Sequence, residues 1–364
     1  MLIRKRLRTF VRFSCTKPRV VYLGLLCLLI SPGCEHGKRD SAGERGAPPA
    51  ETQRSENAKG RIGLLWNTLQ IQACVAQLEA AQSRVSEHGY EFIVYDANLD
   101  IAKQLDGMEN MIQQKVDAIV VIPVDSRGII SAIKKANFAG IPVVTQDVNA
   151  EGGEVYNYIG TDNYRAGELT GEYLVWRLKG RGKIVLLHYN RVSSAYERWN
   201  GLMNVIKHYT HIEILASQEA MTIELGMDIM SHFLQAHSDL DAVWAVNDPS
   251  GLGALRAVKA AGRDRDLFIV AIDGDPEAVK EIKSGGAYAM TVAQFPVELS
   301  NNAVDAAVAA IEGGKALENV QIIGRPSPMP HYYTPVLPIT IENVDQYLGW
   351  NHPAPEMPPP PWWK

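Results

Sequence analysis

The chain has little cysteine and lacks the short motifs of nucleotide- and metal-dependent chemistry. Four cysteines occur among 364 residues, and none forms a CxxC pair or a Cys/His cluster. The sequence therefore predicts neither a disulfide-stapled scaffold nor a metal site. No GxGxxG follows the first predicted strand, and no GxxxxGK[ST] or GxSxG segment is present. These absences argue against a dinucleotide enzyme, a P-loop NTPase and a serine hydrolase, so we expect no catalysis and no cofactor.

An excess of positive charge is also lacking, except at the N-terminus. The net charge of −5 gives no electrostatic case for nucleic acid as a partner. Seven Lys and Arg residues crowd the first 19 positions, and the apolar run 20–30 follows them. That run is about half of the roughly 20 residues that a spanning helix needs. A basic start, a short apolar run and small residues predict a secretory signal.

The end of this signal resembles the lipobox of bacterial lipoproteins, with a Gly directly before Cys34 and Ser31 where that family usually has Leu. The resemblance implies that residues 1–34 are a signal peptide and that Cys34 carries a lipid anchor to the membrane. Residues 35–59 are polar and rich in Gly, Pro and Ser, which is typical of a flexible tether.

Apolar runs alternate with segments of helical periodicity between residues 61 and 312. We predict strands at 62–66, 91–95, 118–122, 141–145, 183–187, 212–217, 242–246, 267–272 and 287–293. Strands that alternate with helices predict α/β architecture with parallel sheets covered on both faces. These strands are too many for one small sheet, so we expect two doubly wound lobes.

Polar side chains follow five of these strands, at the point where each strand ends. They are Asn67, Asp147, Asn247, Asp273 and Gln294. Ligands of open α/β sheets bind just beyond the carboxyl ends of the strands. Carboxylates and amides suit sugar hydroxyls, which both donate and accept hydrogen bonds. The alternative is that such residues only cap helices and turns, and for Asp248, which precedes a proline, we expect that role.

Several segments together resemble the ribose-type periplasmic sugar-binding proteins of ABC transporters, over about residues 60–325. The segments are 62–69, 140–147, 194–201, 242–257, 269–276 and 291–294. The resemblance implies the type I periplasmic binding protein fold, a clamp with three hinge crossings that closes on one sugar. It implies lobe 1 at 60–161 plus 295–324 and lobe 2 at 162–294.

The same resemblance assigns roles to residues by position. Asn247, Asp273 and Gln294 would bond sugar hydroxyls, and Asp147 matches the carboxylate of the first lobe. Asn67 matches a small polar residue after the first strand. Arg198 matches a recurrent arginine, and Tyr196 stands where the ribose type has a sugar-contacting arginine.

The chain departs from the family where the first lobe meets its ligand. The family has an Asn, a Pro and two stacking aromatics after the first strand, whereas this chain has residues 70–74, which end in Cys74. The family also commonly has an Arg where this chain has Val148. Trp66, Tyr196 or Trp199 could supply a stacking platform or could be packing residues, and we expect Cys74 to be a small buried residue. A different sugar, a polyol or another hydroxylated metabolite therefore stays open as the ligand.

Three roles are compatible with this fold. The protein could deliver its ligand to an ABC permease, or present it to a membrane sensor. LacI-type transcription regulators share the fold, but they carry a helix-turn-helix where this chain has a signal and tether. The Pro-rich segment 325–364 excludes central strands. We expect its start to pack near the hinge and its end to be disordered.

Overall fold

A computed structural model describes residues 57–319 and 330–352, together with Pro355 and Trp362. The predicted signal peptide, Cys34 and nearly all of the predicted tether lie outside the described residues. Within the described part of the chain, no helix is long and apolar enough to cross a membrane.

The described chain alternates strands with helices along most of its length. In order the elements are β1 (Arg61–Trp66), α1 (Gln72–Glu87), β2 (Glu91–Asp96), α2 (Ile101–Gln113), β3 (Ala118–Val121), α3 (Ile130–Phe138), β4 (Val143–Gln146), β5 (Asn157–Thr161), α4 (Asn163–Arg177), β6 (Arg181–His188), α5 (Ser193–Ile206), β7 (His211–Glu219), α6 (Ile223–Ala236), β8 (Ala242–Ala245), α7 (Asp248–Ala260), β9 (Phe268–Asp273), α8 (Pro276–Lys283), β10 (Tyr288–Ala293), α9 (Pro296–Glu312), β11 (His331–Thr334) and β12 (Leu337–Thr340). The predicted α/β fold class is confirmed.

The first lobe is built on a parallel sheet with the strand order β11-β5-β4-β3-β1-β2. Its strands are apolar on both faces because helices cover both of them. Leu64 of β1 packs into a core with residues of α1 and α9, whereas its neighbour Leu65 packs with α2 and α3 on the opposite face. The carboxyl ends of these strands all reach one edge of the sheet.

The second lobe repeats this plan with the order β12-β10-β9-β8-β6-β7. All neighbours are parallel except β12, which runs antiparallel to β10. Helices α4 and α5 pack on one face and α6 and α7 on the other. Trp244 of β8 is fully buried on the α4 side and donates its Nε1–H to Thr170 Oγ1 at 2.9 Å.

The chain passes between the two sheets three times. The crossings follow β5, β10 and β11, and the third consists of the two residues between β11 and β12. Both of these last strands lie at sheet edges, where Pro338 of β12 is tolerated because an edge strand has one side without a ladder partner. Strands β5, β11 and β12 are absent from the sequence prediction.

The end of the C-terminal segment is described at two positions only. Trp362 is 6% exposed, and its ring packs edge-on against Tyr173 of α4 with a centroid separation of 5.3 Å. The other residues for which we predicted disorder lie outside the described residues, so that prediction stays a prediction there.

Candidate ligand-binding site

A cavity lies between the carboxyl ends of the two sheets, with about 820 Å³ of atom-free space that includes its opening to solvent. It brings together six of the predicted site residues, namely Asn67, Asp147, Arg198, Asn247, Asp273 and Gln294. In both lobes the side chains that follow the parallel strands lie at the carboxyl edge of the sheet, and both edges border the same cavity.

The second lobe contributes a connected polar cluster to this cavity. Asp273 Oδ1 accepts hydrogen bonds from Gln294 Nε2 at 2.6 Å and from Arg198 Nη1 at 3.1 Å. Arg198 also donates from Nη1 to the Val246 carbonyl at 2.8 Å and from Nε to Asn163 Oδ1 at 2.7 Å. A buried guanidinium with this many acceptors is held rigidly, and Nη2 is its one nitrogen without a hydrogen-bond partner in the described chain.

The carboxylate of Asp273 is held under electrostatic and conformational strain. Burial raises the pKa of Asp273 to about 6. The positive charge of Arg198 lowers this pKa, and the negative charge of Asp147 raises it further. The Asp273 backbone has φ = 144°, a value that non-glycine residues rarely adopt. Two donors fix its carbonyl oxygen, the Gln294 backbone N–H at 3.0 Å and Trp350 Nε1–H at 3.1 Å.

Asn247 has a capping role in addition to its place in the cavity wall. Its Oδ1 accepts from the backbone N–H of Ser250 at 3.1 Å and from Ser250 Oγ at 2.7 Å, which caps the N-terminus of α7. Its Nδ2 donates to the Met221 carbonyl at 3.0 Å. One Nδ2 hydrogen has no partner in the described chain and is available to a ligand.

The expectation that Asp248 caps the helix is wrong, because Asn247 takes that position. Asp248 is fully buried, and its carboxylate accepts from Tyr288 Oη at 2.7 Å and from Thr291 Oγ1 at 2.8 Å. It also accepts from the backbone N–H of Asp275 at 2.7 Å. These bonds join α7 to β10 and to the N-cap of α8, so Asp248 supports the site from the protein interior.

The first lobe presents polar groups that are less fully bonded. Asn67 Oδ1 accepts from the backbone N–H of Thr68 at 2.7 Å. Asp147 stands at φ = 62° after β4, and its buried Oδ1 has no hydrogen-bond partner in the described chain. Burial raises the pKa of Asp147, while the charge of Arg198 and the amide of Gln77 oppose the increase.

The two lobes are hydrogen-bonded to each other at the rim of the cavity. Ser193 of the second lobe accepts through Oγ from the backbone N–H of Asn149 at 2.8 Å. Its own backbone N–H donates to Ser126 Oγ at 3.0 Å, and the backbone N–H of Ser126 donates to the Arg191 carbonyl at 3.2 Å. The structure thus represents a closed arrangement of the two lobes.

A protein-family model for the periplasmic binding protein domain matches residues 62–315 of the 364. The chain belongs to this family. It is 33% identical to the ribose import binding protein of Escherichia coli over 260 residues, which is 71% of this chain and 87% of that protein.

Solved structures of periplasmic binding proteins share the fold along most of their length. An ABC transporter solute-binding protein from Actinobacillus succinogenes with bound D-allose has a TM-score of 0.71 and 28% identity, and the match covers 79% of this chain and all of that one. A solute-binding protein from Bacillus halodurans with bound myo-inositol has a TM-score of 0.72 and 26% identity, over 81% of this chain and 99% of that one.

None of the aromatic residues predicted as platforms lines the cavity of this periplasmic binding protein. Trp66 is fully buried under α1 and donates its Nε1–H to the Cys74 carbonyl at 3.0 Å. Tyr196 is 54% exposed and is not part of the cavity wall. Trp199 packs edge-on against His188, with a centroid separation of 5.2 Å. Within the described chain, Tyr189 is the aromatic side chain that lines the cavity.

The first-lobe wall is made of small and aliphatic side chains, in line with the predicted departure from the family at residues 70–74. Ile71, Ala73, Cys74 and Val148 all line the cavity. Burial raises the pKa of the Cys74 thiol well above its usual value, so the thiol stays protonated and packs as a small apolar group.

Sequence reasoning missed two polar residues in the cavity wall, Gln77 of α1 and Ser194 of α5. Gln77 had a detectable signal, because it lies three residues after Cys74 on the side of α1 that is otherwise apolar and buried. A polar residue at core spacing in a helix beside a predicted site is a reason to test it as part of that site.

Proposed function

We propose that this protein captures one sugar or related hydroxylated small molecule between its two lobes and delivers it to an ABC importer. The observation that carries this proposal is the Asp273–Arg198–Gln294 cluster, which faces Asp147 across a single cavity. Carboxylate, amide and guanidinium groups in one buried site pair with vicinal hydroxyls and discriminate against ligands that lack them.

The comparisons support delivery as the role. The E. coli relative is named a ribose import binding protein, and the A. succinogenes and B. halodurans neighbours are named solute-binding proteins of ABC transporters. Their ligands, as those names give them, are ribose, D-allose and myo-inositol, which share closely spaced hydroxyls on a compact carbon skeleton. We propose the same chemical class here, bound and released without any change to its covalent bonds.

We further propose that the exported protein is held at the membrane by a lipid on Cys34. The support is the Gly-Cys pair directly after the apolar run of the signal. Metabolic labelling with radioactive palmitate should mark the wild-type protein, and Cys34→Ser should abolish the label and release the protein into the soluble periplasmic fraction. Equal labelling of the two proteins would refute the anchor.

The binding proposal is tested by a thermal-shift screen across pentoses, hexoses, deoxy sugars and polyols. A ligand at about 100 times its dissociation constant should add about 2.7 kcal/mol to the free energy of unfolding. Asp273→Ala combined with Asn247→Ala should abolish the shift, because it removes a carboxylate and an amide from the cavity. Ser83→Ala, an exposed substitution on α1, is the control and should leave the shift intact.

Three results would contradict the proposal. A screen without any shift would refute binding of this ligand class, and a shift that survives the double substitution would refute the assigned site. A reaction product in the incubated mixture would refute binding without chemistry.

A further inference from the structure

Gln77, on the first helix of lobe 1, is a buried polar residue in the cavity wall that has no role in the function proposed above. Gln77 lies one helical turn after Cys74, and residues three apart on a helix share a face. Both side chains line the cavity. Gln77 is 4% exposed, so its amide is enclosed by protein and cavity instead of bulk water.

The amide of Gln77 is only half satisfied. Its Oε1 is buried and has no hydrogen-bond partner in the described chain. Gln77 is a hydrogen-bonding neighbour of Asp147, and an amide beside a carboxylate is stable with its N–H and not its oxygen toward the negative charge. Oε1 is then left without a donor, which is unfavourable for a buried carbonyl.

A second unpaired acceptor lies beside the first. Asp147 Oδ1 is also buried without a hydrogen-bond partner in the described chain. Two neighbouring acceptors in a cavity wall, both lacking donors, fit a ligand that supplies two adjacent donors.

We propose that Gln77 is a ligand-binding residue, and that Gln77 Oε1 and Asp147 Oδ1 together accept hydrogen bonds from a pair of vicinal hydroxyls on the side of the ligand that faces α1. This inference rests on the proposed function and narrows its ligand class. A wall of stacking aromatics recognises the bare C–H face of a sugar ring, whereas this wall recognises hydroxyls.

The test pairs one protein variant with one ligand variant. Gln77→Met keeps the length and approximate volume of the side chain but removes both amide groups. Titration calorimetry with the sugar or polyol selected in the screen should show about tenfold weaker binding. A series of monodeoxy analogues should contain one whose affinity is equal for wild type and Gln77→Met, because that analogue lacks the hydroxyl that Gln77 accepts from.

Gln72→Met is the matched control, since Gln72 is an exposed glutamine on the same helix. It should bind every ligand as the wild type does. In the ligand-free protein, Gln77→Met removes an unpaired carbonyl but also the N–H that faces Asp147, so the two effects on the melting temperature oppose each other and the affinity is the deciding measurement. A purely structural amide would leave the affinity for every ligand unchanged.

Two outcomes would overturn the inference. They are unchanged affinity in Gln77→Met, whatever its melting temperature, and an equal loss of affinity for every deoxy analogue. A wild-type protein that binds none of the screened compounds would refute the proposed function first, and this inference with it. That failure is distinguishable because it appears without any substitution.

Discussion

The hydrogen bonds at the rim of the cavity should set the affinity of the clamp. Ser126→Ala combined with Ser193→Ala removes the two hydroxyl acceptors that join the lobes, and it leaves the Ser126 N–H to Arg191 carbonyl bond in place. Neither hydroxyl belongs to the predicted ligand contacts. The double variant therefore tests lobe closure separately from ligand recognition.

The expected magnitude follows from these two bonds. A net contribution of about 1 kcal/mol for each bond gives about 2 kcal/mol less stabilisation of the closed state. Ligand binding selects the closed state, so this difference is lost from the binding free energy and weakens affinity about thirtyfold. Calorimetry measures the affinity, and small-angle X-ray scattering of the wild type should show a larger radius of gyration without ligand than with it, because the full thirtyfold loss requires a ligand-free protein that is mainly open.

The control is again Ser83→Ala, which removes an exposed hydroxyl whose hydrogen-bond partner is Glu87 of the same helix, and it should change neither quantity. Wild-type affinity in the double variant would refute the reasoning. It would mean that these bonds form equally in the open and closed states, or that water replaces them without loss.

Three further substitutions test the second-lobe cluster and its support. The free energy of unfolding should fall as pH rises above about 4, because burial raises the pKa of Asp273 and of its neighbour Asp248 in the folded state, whereas the unfolded chain releases both protons near 4; urea titrations of Asp273→Asn should show a shallower fall. Trp350→Phe removes the donor to the Asp273 carbonyl and should weaken binding about fivefold, with Leu348→Ala, 63% exposed, as the unaffected control. Asn247→Ala should lower the free energy of unfolding by about 1–2 kcal/mol through loss of the α7 cap, and an unchanged melting temperature would contradict that capping role.

The alternation of strands and helices could be read from the sequence because apolar runs and helical spacing are local signals. Strand β5 escaped this reading, since Asn157, Gly160 and Thr161 interrupt its apolar character. Strands β11 and β12 lie in a segment of prolines, tyrosines and histidine, and they are strands because each pairs with the edge of an existing sheet. Such pairing depends on tertiary structure that no local pattern records.

The strand-end residues could be predicted because the end of an apolar run is a local signal and sheet geometry places the carboxyl ends of parallel strands at one edge. The face of a helix is less certain from sequence. Tyr196 lies two residues before Arg198 on α5, about 200° around the helix, so only one of them can face the cavity. The capping by Asn247 and the free acceptor on Gln77 also required the structure, because both depend on which neighbours the fold supplies.

Equilibrium dialysis with mass-spectrometric recovery of the ligand tests the central claim most directly. The purified protein is incubated with the sugar or polyol that gives the largest thermal shift, and the bound compound is then quantified and identified. We predict one molecule per chain, recovered with its mass and stereochemistry unchanged, and loss of retention in Asp273→Ala. No retention by the wild type, or recovery of an altered compound, would contradict the account.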